Sequence, residues 1–375
     1  MHILVAPDKF KGTLTARQVC DAVTSGWSGV RPHDTVEAVP MADGGEGTMQ
    51  ALADALGGRL ASASVTGPLG HRVDADFALV PVDGGLLGVV ELARASGLGL
   101  VPSSQRDPNR TTTRGTGELM LAAMEAGARR LLVCIGGSAT NDGGVGMAQA
   151  MGYRFLDAGG NEIGPGGKGL LDLMRIDATH AAPQLSAVSV VGACDVDNPL
   201  TGPHGASATY GPQKGASADD VLVLDRALGH LAAVVERDLG IPYRDAPGAG
   251  AAGGVGFGLL AFCGARLRPG VEVVMEAVDL VRRIAQADLV LTGEGSLDAQ
   301  SLHGKTPAGV LDACALARVP AVVVCGRAEI SLEAVEVVSL VERVGADAAL
   351  GDTRASLRLV AEELAARADA MVARR

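Results

Sequence analysis

Met1-His2-Ile3-Leu4-Val5-Ala6-Pro7-Asp8-Lys9-Phe10-Lys11-Gly12 is the stretch that decides how the chain folds. Residues 3–6 form a short apolar run that ends at Pro7-Asp8, as a buried strand ends at the edge of its sheet. From 15 to 27 the apolar residues recur at helical spacing, and Thr13 or Thr15 stands where an N-cap belongs. Residues 35–40 read as a second strand. Met41-Ala42-Asp43-Gly44-Gly45-Glu46-Gly47-Thr48 is then a Gly-rich turn into a helix over 49–56. Strand, helix, strand, helix is the pattern of a parallel sheet. It returns near the other end of the chain. A strand is expected over 287–292, a turn at Gly293-Glu294-Gly295, a helix over 306–318 and a strand over 321–325 closed by Gly326. A further strand at 337–340 and a long Ala/Leu/Arg helix over 356–372 follow. The fold class is therefore α/β. Residues 1–62 and 275–375 are expected to form one Rossmann-like, doubly wound domain, with 63–274 inserted as a second α/β domain.

The middle opens differently. Short strands over 62–66, 73–80 and 88–91 are joined by Gly67-Pro68-Leu69-Gly70 and Asp83-Gly84-Gly85, which makes an antiparallel start. A helix over 117–126, strands over 130–135 and 185–193, and an amphipathic helix over 219–239 follow. There is no internal repeat and no low-complexity linker.

Composition narrows the function classes. A chain of 375 residues that is 47% hydrophobic and 20% charged can bury a large core and is not disordered. Its 52 glycines imply many tight turns or close backbone approaches to ligands. The net charge of −11 leaves no basic footprint for phosphate backbones, and one Trp, three Tyr and five Phe give few faces for stacking bases. A nucleic-acid partner is therefore not expected. No apolar run approaches the ~18 residues a membrane helix needs; residues 85–101 come nearest but carry Glu91 and Arg94. The first residues lack a basic segment followed by a long apolar one, so no signal peptide is expected, and the chain reads as cytoplasmic. The six cysteines have no C-x-x-C spacing, which fits buried free thiols rather than a zinc site.

The polar residues gather after the strands. In open α/β sheets ligands sit beyond the carboxyl ends of the strands, and there Asp8-Lys9-Phe10-Lys11-Gly12 offers two lysines and an Asp suited to phosphate or Mg²⁺. The alternative is an ordinary solvated turn. In the 43–48 loop glycines let N–H groups converge on an anion, but Asp43 and Glu46 would repel a bare phosphate; a bound Mg²⁺ or a hydroxyl-bearing substrate reconciles the two. Gly136-Gly137-Ser138-Ala139-Thr140-Asn141-Asp142-Gly143-Gly144 follows the strand at 130–135 and is polar and bendable enough to wrap an anion. Asp195, in Cys194-Asp195-Val196-Asp197-Asn198-Pro199-Leu200, stands just past a strand, a natural place for a general base, although Asp-x-Asx before Pro is also a turn former. Tyr210-Gly211-Pro212-Gln213-Lys214-Gly215-Ala216 holds one Lys in a rigid turn. Gly293-Glu294-Gly295-Ser296-Leu297-Asp298 with His303-Gly304-Lys305-Thr306-Pro307 combines acid, base and hydroxyl at a strand-to-helix junction.

Two familiar signatures fail. Gly304-Lys305-Thr306 ends like a P-loop, but Ala299 stands where its first Gly is required. Gly248-Ala249-Gly250-Ala251-Ala252-Gly253 matches G-x-G-x-x-G but follows Asp245-Ala246-Pro247 rather than a strand. That run reads better as close helix packing or a flexible loop.

Together these segments resemble the bacterial type I glycerate kinase family. The likeness runs through Ala6-Pro7-Asp8-Lys9-Phe10-Lys11-Gly12, residues 41–48, Ile135-Gly136-Gly137-Ser138-Ala139-Thr140, residues 194–200, 211–216 and 248–254, and Leu291-Thr292-Gly293-Glu294-Gly295-Ser296-Leu297-Asp298 with Gly304-Lys305. It covers nearly the whole chain. It implies phosphorylation of D-glycerate by ATP with Mg²⁺, giving 2-phosphoglycerate, in a cleft between a Rossmann-like and an inserted α/β domain. On that chemistry Lys9 and Lys11 neutralise the transferring phosphoryl group, and Asp43 and Glu294 are the candidate Mg²⁺ ligands, directly or through water. Asp195 is the candidate base for the glycerate hydroxyl. Gly136, Gly137, Ser138 and Asn141 hold the carboxylate, with Lys214 and Lys305 as further substrate or phosphate contacts. Ser296 departs from the family pattern, where many members carry Arg; if that Arg holds phosphate elsewhere in the family, its job here falls to Lys305. The rival readings are a kinase of another small hydroxy or sugar acid, a nicotinamide-dependent oxidoreductase, and a non-catalytic nucleotide or metabolite sensor.

Overall fold

A computed structural model describes residues 1–302 and 304–373. The described residues hold thirteen strands: β1 (His2–Val5), β2 (Thr35–Ala38), β3 (Arg59–Thr66), β4 (Arg72–Val82), β5 (Gly85–Glu91), β6 (Arg130–Cys134), β7 (Arg154–Leu156), β8 (Arg175–Asp177), β9 (Ser189–Ala193), β10 (Arg266–Arg268), β11 (Leu289–Leu297), β12 (Ala321–Ala328) and β13 (Glu336–Ser339). The chain gathers into two compact units. One takes Met1–Asp43, Gln50–Gly57 and Pro269 onward; the other takes Gly44–Met49 and Gly58–Arg268.

In the first unit five parallel strands lie in the order β13-β12-β11-β1-β2. The chain runs from β1 to β2 on one side and resumes with β11 on the other, so the strand order reverses between β1 and β11. Alternation along the strands fills one face: Ile3, Val5, Leu289, Leu291, Val322 and Val324 share a cluster with Val19, Val23 and Trp27 of the helix Ala16–Val30 and with Leu357, Val360 and Leu364 of the helix Thr353–Ala366. Leu4, Val290 and Val323, at the intervening positions, are buried as well. Strands covered on both faces read as continuous apolar runs, which is why 3–6 and 289–292 carry no polar alternation. The helix Ala16–Val30 starts at a capping box: Thr15 accepts from the Gln18 N–H, and the Gln18 side chain accepts from the Thr15 N–H.

Two expectations for this unit need correction. Gly293-Glu294-Gly295 is not a turn: β11 runs through it to Leu297, with Glu294 opposite Cys325 and Ser296 opposite Arg327. The glycine is there for proximity, since a Cβ on Gly293 would lie 1.7 Å from the Val324 carbonyl oxygen. The helix expected over 356–372 begins earlier and is broken, as Thr353–Ala366 and Ala368–Val372. His303 lies outside the described residues.

The second unit has a six-stranded sheet in the order β10-β9-β6-β5-β4-β3. The β3-β4 and β4-β5 pairs are antiparallel, and β5-β6, β6-β9 and β9-β10 are parallel. β7 and β8 form a separate antiparallel ribbon. The strand expected over 185–193 is shorter than the sequence suggests: Pro183–Ala187 is a 3₁₀ turn, because Pro183 starts a turn, and β9 begins at Ser189. The core joins the helix Arg114–Glu125, the helix Ala218–Leu239 and the helix Ala251–Cys263 around Phe155, Phe257 and Phe262. The 248–258 run is close packing. Ala252, Gly253 and Gly254 all have positive φ inside a kink, and a Cβ on Gly253 would sit 1.9 Å from the Thr140 carbonyl oxygen. All six cysteines are free, and no described helix is long and apolar enough to cross a membrane.

Candidate active site

The sequence-derived site residues fall into two groups, one in each unit. Lys9, Lys11, Asp43, Glu294 and Lys305 belong to the first; Gly136, Gly137, Ser138, Asn141, Asp195 and Lys214 belong to the second.

The first group stands where β1 and β11 end, at the strand-order reversal that favours ligand binding in parallel sheets. Beyond β1 the chain stays in register with β11, the Asp8 N–H donating to the Gly293 carbonyl at 2.8 Å. This brings Asp8 to the N-terminus of the helix Thr306–Ala317, where the Thr306 hydroxyl donates to Asp8 Oδ2 at 2.7 Å. The Lys9 N–H donates to Asp8 Oδ1 at 2.6 Å. Asp8 is only 7% exposed. Desolvation foremost, then repulsion from Asp43, pushes its carboxyl up to about 6, against the opposing pull of Thr306 and Lys9. Glu294 projects from β11 itself; burial raises its pKa first, with Asp298 and Asp43 adding repulsion and Ser301 and Lys305 opposing it. Its Oε1 is buried without a donor among the described residues, while Lys305 Nζ lies 4.0 Å from Oε2. Lys9 is half-buried and Lys11 exposed. Gly295 lets the two segments close up, since a Cβ there would lie 3.0 Å from the Lys11 backbone nitrogen.

Mutually repelling carboxylates, one with an orphaned oxygen, form a donor set that suits a hard cation. Among the described residues no three Asp, Glu, His or Cys side chains converge closely enough to enclose a metal ion. One or two carboxylates are what Mg²⁺ usually takes from a protein, with water and phosphate oxygens completing its shell. Asp8 is legible in the sequence as the Asp of the 8–12 stretch, by its position directly after β1, but its bond to Thr306 is not.

In the second group the 136–144 loop leaves β6 and packs on the kink at 252–254. Gly136 and Gly137 are exposed, and among the described residues their N–H groups meet no acceptor. A Cβ on Gly136 would lie 3.7 Å from Gly45 Cα, so the 44–49 turn runs alongside. That turn is held by Glu91, buried at the end of β5, whose Oε1 accepts from the Gly47 N–H at 2.8 Å and the Met49 N–H at 2.9 Å. Asp142, fully buried, accepts from the Thr113 N–H and hydroxyl at 2.8 Å each, and from the N–H groups of Gly144 and Gly146 at 3.1 and 3.2 Å. Sequence reasoning missed both carboxylates as anchors; for Glu91 the signal was one acid inside an otherwise apolar run. Asn141 Nδ2 donates to Ser207 Oγ at 3.0 Å, and its Oδ1 is buried without a donor among the described residues. Lys214 is also buried, beneath the loop. Asp195 is exposed beyond β9. Close by, Asn198 accepts from the Tyr210 hydroxyl at 2.7 Å and donates to the His204 carbonyl at 2.8 Å, which fixes the turn after Asp195.

A parallel sheet whose strand order reverses beside a cluster of lysines and carboxylates places the protein in the class of α/β proteins that take their ligands at the carboxyl ends of the strands. The particular family follows from comparison with known proteins. The glycerate kinase family model matches residues 3–373. The chain is 51% identical to a glycerate kinase of Bacillus subtilis and 47% identical to a glycerate 2-kinase of Escherichia coli, each over 87% of this chain and 85% of the relative. A crystal structure described as putative glycerate kinase 2 from Salmonella typhimurium LT2 superposes with a TM-score of 0.91 at 44% identity, covering 99% of this chain and 98% of that one. The chain belongs to the glycerate kinase family and is a kinase.

Proposed function

We propose that the protein transfers the γ-phosphoryl group of ATP to the 2-hydroxyl of D-glycerate, giving ADP and 2-phospho-D-glycerate, and that it does so in the cytoplasm. The observation that carries this is the family match over residues 3–373, joined to a lysine and carboxylate cluster at the ends of β1 and β11. Phosphoryl transfer demands alignment and charge neutralisation more than covalent chemistry. Lys9 and Lys11 neutralise the transferring group, and Lys305, close to Glu294, adds a third positive charge. Asp43 and Glu294 would hold Mg²⁺, which when bound offsets the phosphate charge. The backbone N–H groups of the 136–141 loop take the glycerate carboxylate, Gly136 and Gly137 presenting theirs on the exposed part of the loop while the Ser138 and Asn141 side chains hold the loop from the buried side. Asp195 accepts the hydroxyl proton as the new O–P bond forms and the bond to ADP breaks.

The test is ADP release from purified protein given ATP, Mg²⁺ and D-glycerate, with L-glycerate, glycerol and substrate-free controls and phosphorus NMR of the product. Release that depends on D-glycerate with a 2-phospho product is expected. ATP binding without release would overturn the substrate assignment, and a 3-phospho product would overturn the regiochemistry.

A further inference from the structure

Lys214 is 2% exposed, among the largest fully buried side chains of the molecule. Its place is set by the backbone. Pro212 starts a 3₁₀ turn, and Gly215 at φ +98° follows, where a Cβ would lie 2.3 Å from the Arg106 carbonyl oxygen; the side chain between them is turned inward. The ammonium donates to Ser138 Oγ at 2.9 Å and to the Thr140 carbonyl at 2.6 Å. Ser138 donates its own proton to the Ala252 carbonyl at 2.9 Å, and Ala252 is one of three non-glycine residues with positive φ among those described. The chain of bonds therefore runs from Lys214 through the 136–141 loop to the kink of the helix Ala251–Cys263. Among the described residues no carboxylate pairs with the ammonium: Asp142, which attracts it through space, already accepts four hydrogen bonds. Burying an unpaired cation is costly. Desolvation accordingly lowers the Lys214 pKa to about 7.

We propose that Lys214 is a positioning residue for the acid substrate: its buried ammonium clamps Ser138 and Thr140, holds the Gly136 and Gly137 N–H groups outward, and lends them positive potential from beneath. The substrate carboxylate meets the loop, and the lysine acts through it. The two N–H groups without acceptors are the face such an anion would engage, and positive charge on the buried lysine beneath them is less screened than charge in bulk water. This rests on the reading above that the loop takes the carboxylate.

Carboxylate binding is present before and during phosphoryl transfer, so loosening it raises KM and leaves kcat in place. The experiment is steady-state kinetics of wild type, Lys214→Met, Ser138→Ala and the double variant, varying D-glycerate and ATP in turn. Lys214→Met is expected to raise KM for D-glycerate by about tenfold or more, with kcat and the KM for ATP within about threefold. The double variant is expected to be no worse than Lys214→Met, because both substitutions cut one link. Unchanged KM, a fall in kcat at unchanged KM, or additive effects would each overturn the clamp. Should Lys214→Met fail to fold, Ser138→Ala decides alone, with a KM rise of about threefold or more expected for D-glycerate and none for ATP. Wild type that releases no ADP with D-glycerate overturns the underlying reading instead, so the two failures are told apart in one assay.

Discussion

Asp8 and Lys9 are neighbours in sequence with opposite surroundings. The carboxylate is buried against the Thr306 hydroxyl, while the lysine of the same turn is half-buried. Removing a charge that offsets a transferring phosphoryl group typically costs a factor of about 10²–10³ or more. Lys9→Ala is therefore expected to lower kcat by at least about a hundredfold, with circular dichroism unchanged; a variant that keeps more than about a tenth of kcat takes Lys9 off the catalytic list. A different kind of residue effect is expected at Asp34. Burial raises its pKa, but bonds from the α-ammonium of Met1, Arg31 and Trp27 win and bring it down to about 2. A carboxyl depressed in the folded state stabilises above its unfolded pKa and loses that contribution as pH falls through the folded one. Asp34→Ala is thus expected to lower Tm at pH 7, and the gap from wild type should close between about pH 4 and pH 2. A gap that stays constant across that window contradicts the sign.

At the scale of single elements, β11 and β12 approach each other through Gly293. With the Cβ position 1.7 Å from the Val324 carbonyl oxygen, Gly293→Ala must push two central strands apart. A loss of about 3 kcal/mol or more, or insoluble expression, is expected from urea titration. Thr15→Ala, which removes only a capping box, is expected to cost about 1 kcal/mol. The pair also marks what sequence could and could not tell. The capping threonine, the β-α-β-α opening and the antiparallel 62–91 region were legible because they rest on local periodicity and turn chemistry. The strand continuing through Gly293-Glu294-Gly295 was not, because two glycines in three residues signal a turn locally, and only the neighbouring strand shows that their missing side chains make room for it. The site divides the same way. Lysines and acids after strands could be picked from the sequence, whereas the bonds from Glu91 to Gly47 and Met49 and from Asp142 to Thr113 join residues far apart in the chain, so the anchoring role of these acids shows only once the chain is folded.

On the scale of the whole molecule, each unit has its own core, and the single tryptophan, Trp27, is buried in that of the first. Tryptophan fluorescence therefore follows one unit, while far-ultraviolet circular dichroism follows both. Leu119, fully buried in the second core, gives the contrast. Leu119→Ala, at a cost of about 2–5 kcal/mol, is expected to shift the dichroism transition in urea and leave the fluorescence midpoint in place. Coincident shifts would mean that the units unfold as one.

The position of β1 between β2 and β11 has a consequence for the birth of the chain. When β1 and β2 leave the ribosome, the partner for β1's other edge has not been made; roughly 250 residues separate it from them. At typical elongation rates of about 5–20 residues per second, that edge waits on the order of ten seconds to a minute. Throughout that interval a short apolar strand sits in the nascent chain with the hydrogen-bonding groups of one edge open, while the whole of the second unit is synthesised before β11 appears. The order of synthesis thus favours the later-numbered domain folding first, and it makes the opening residues the segment on which a trigger-type chaperone would be expected to linger.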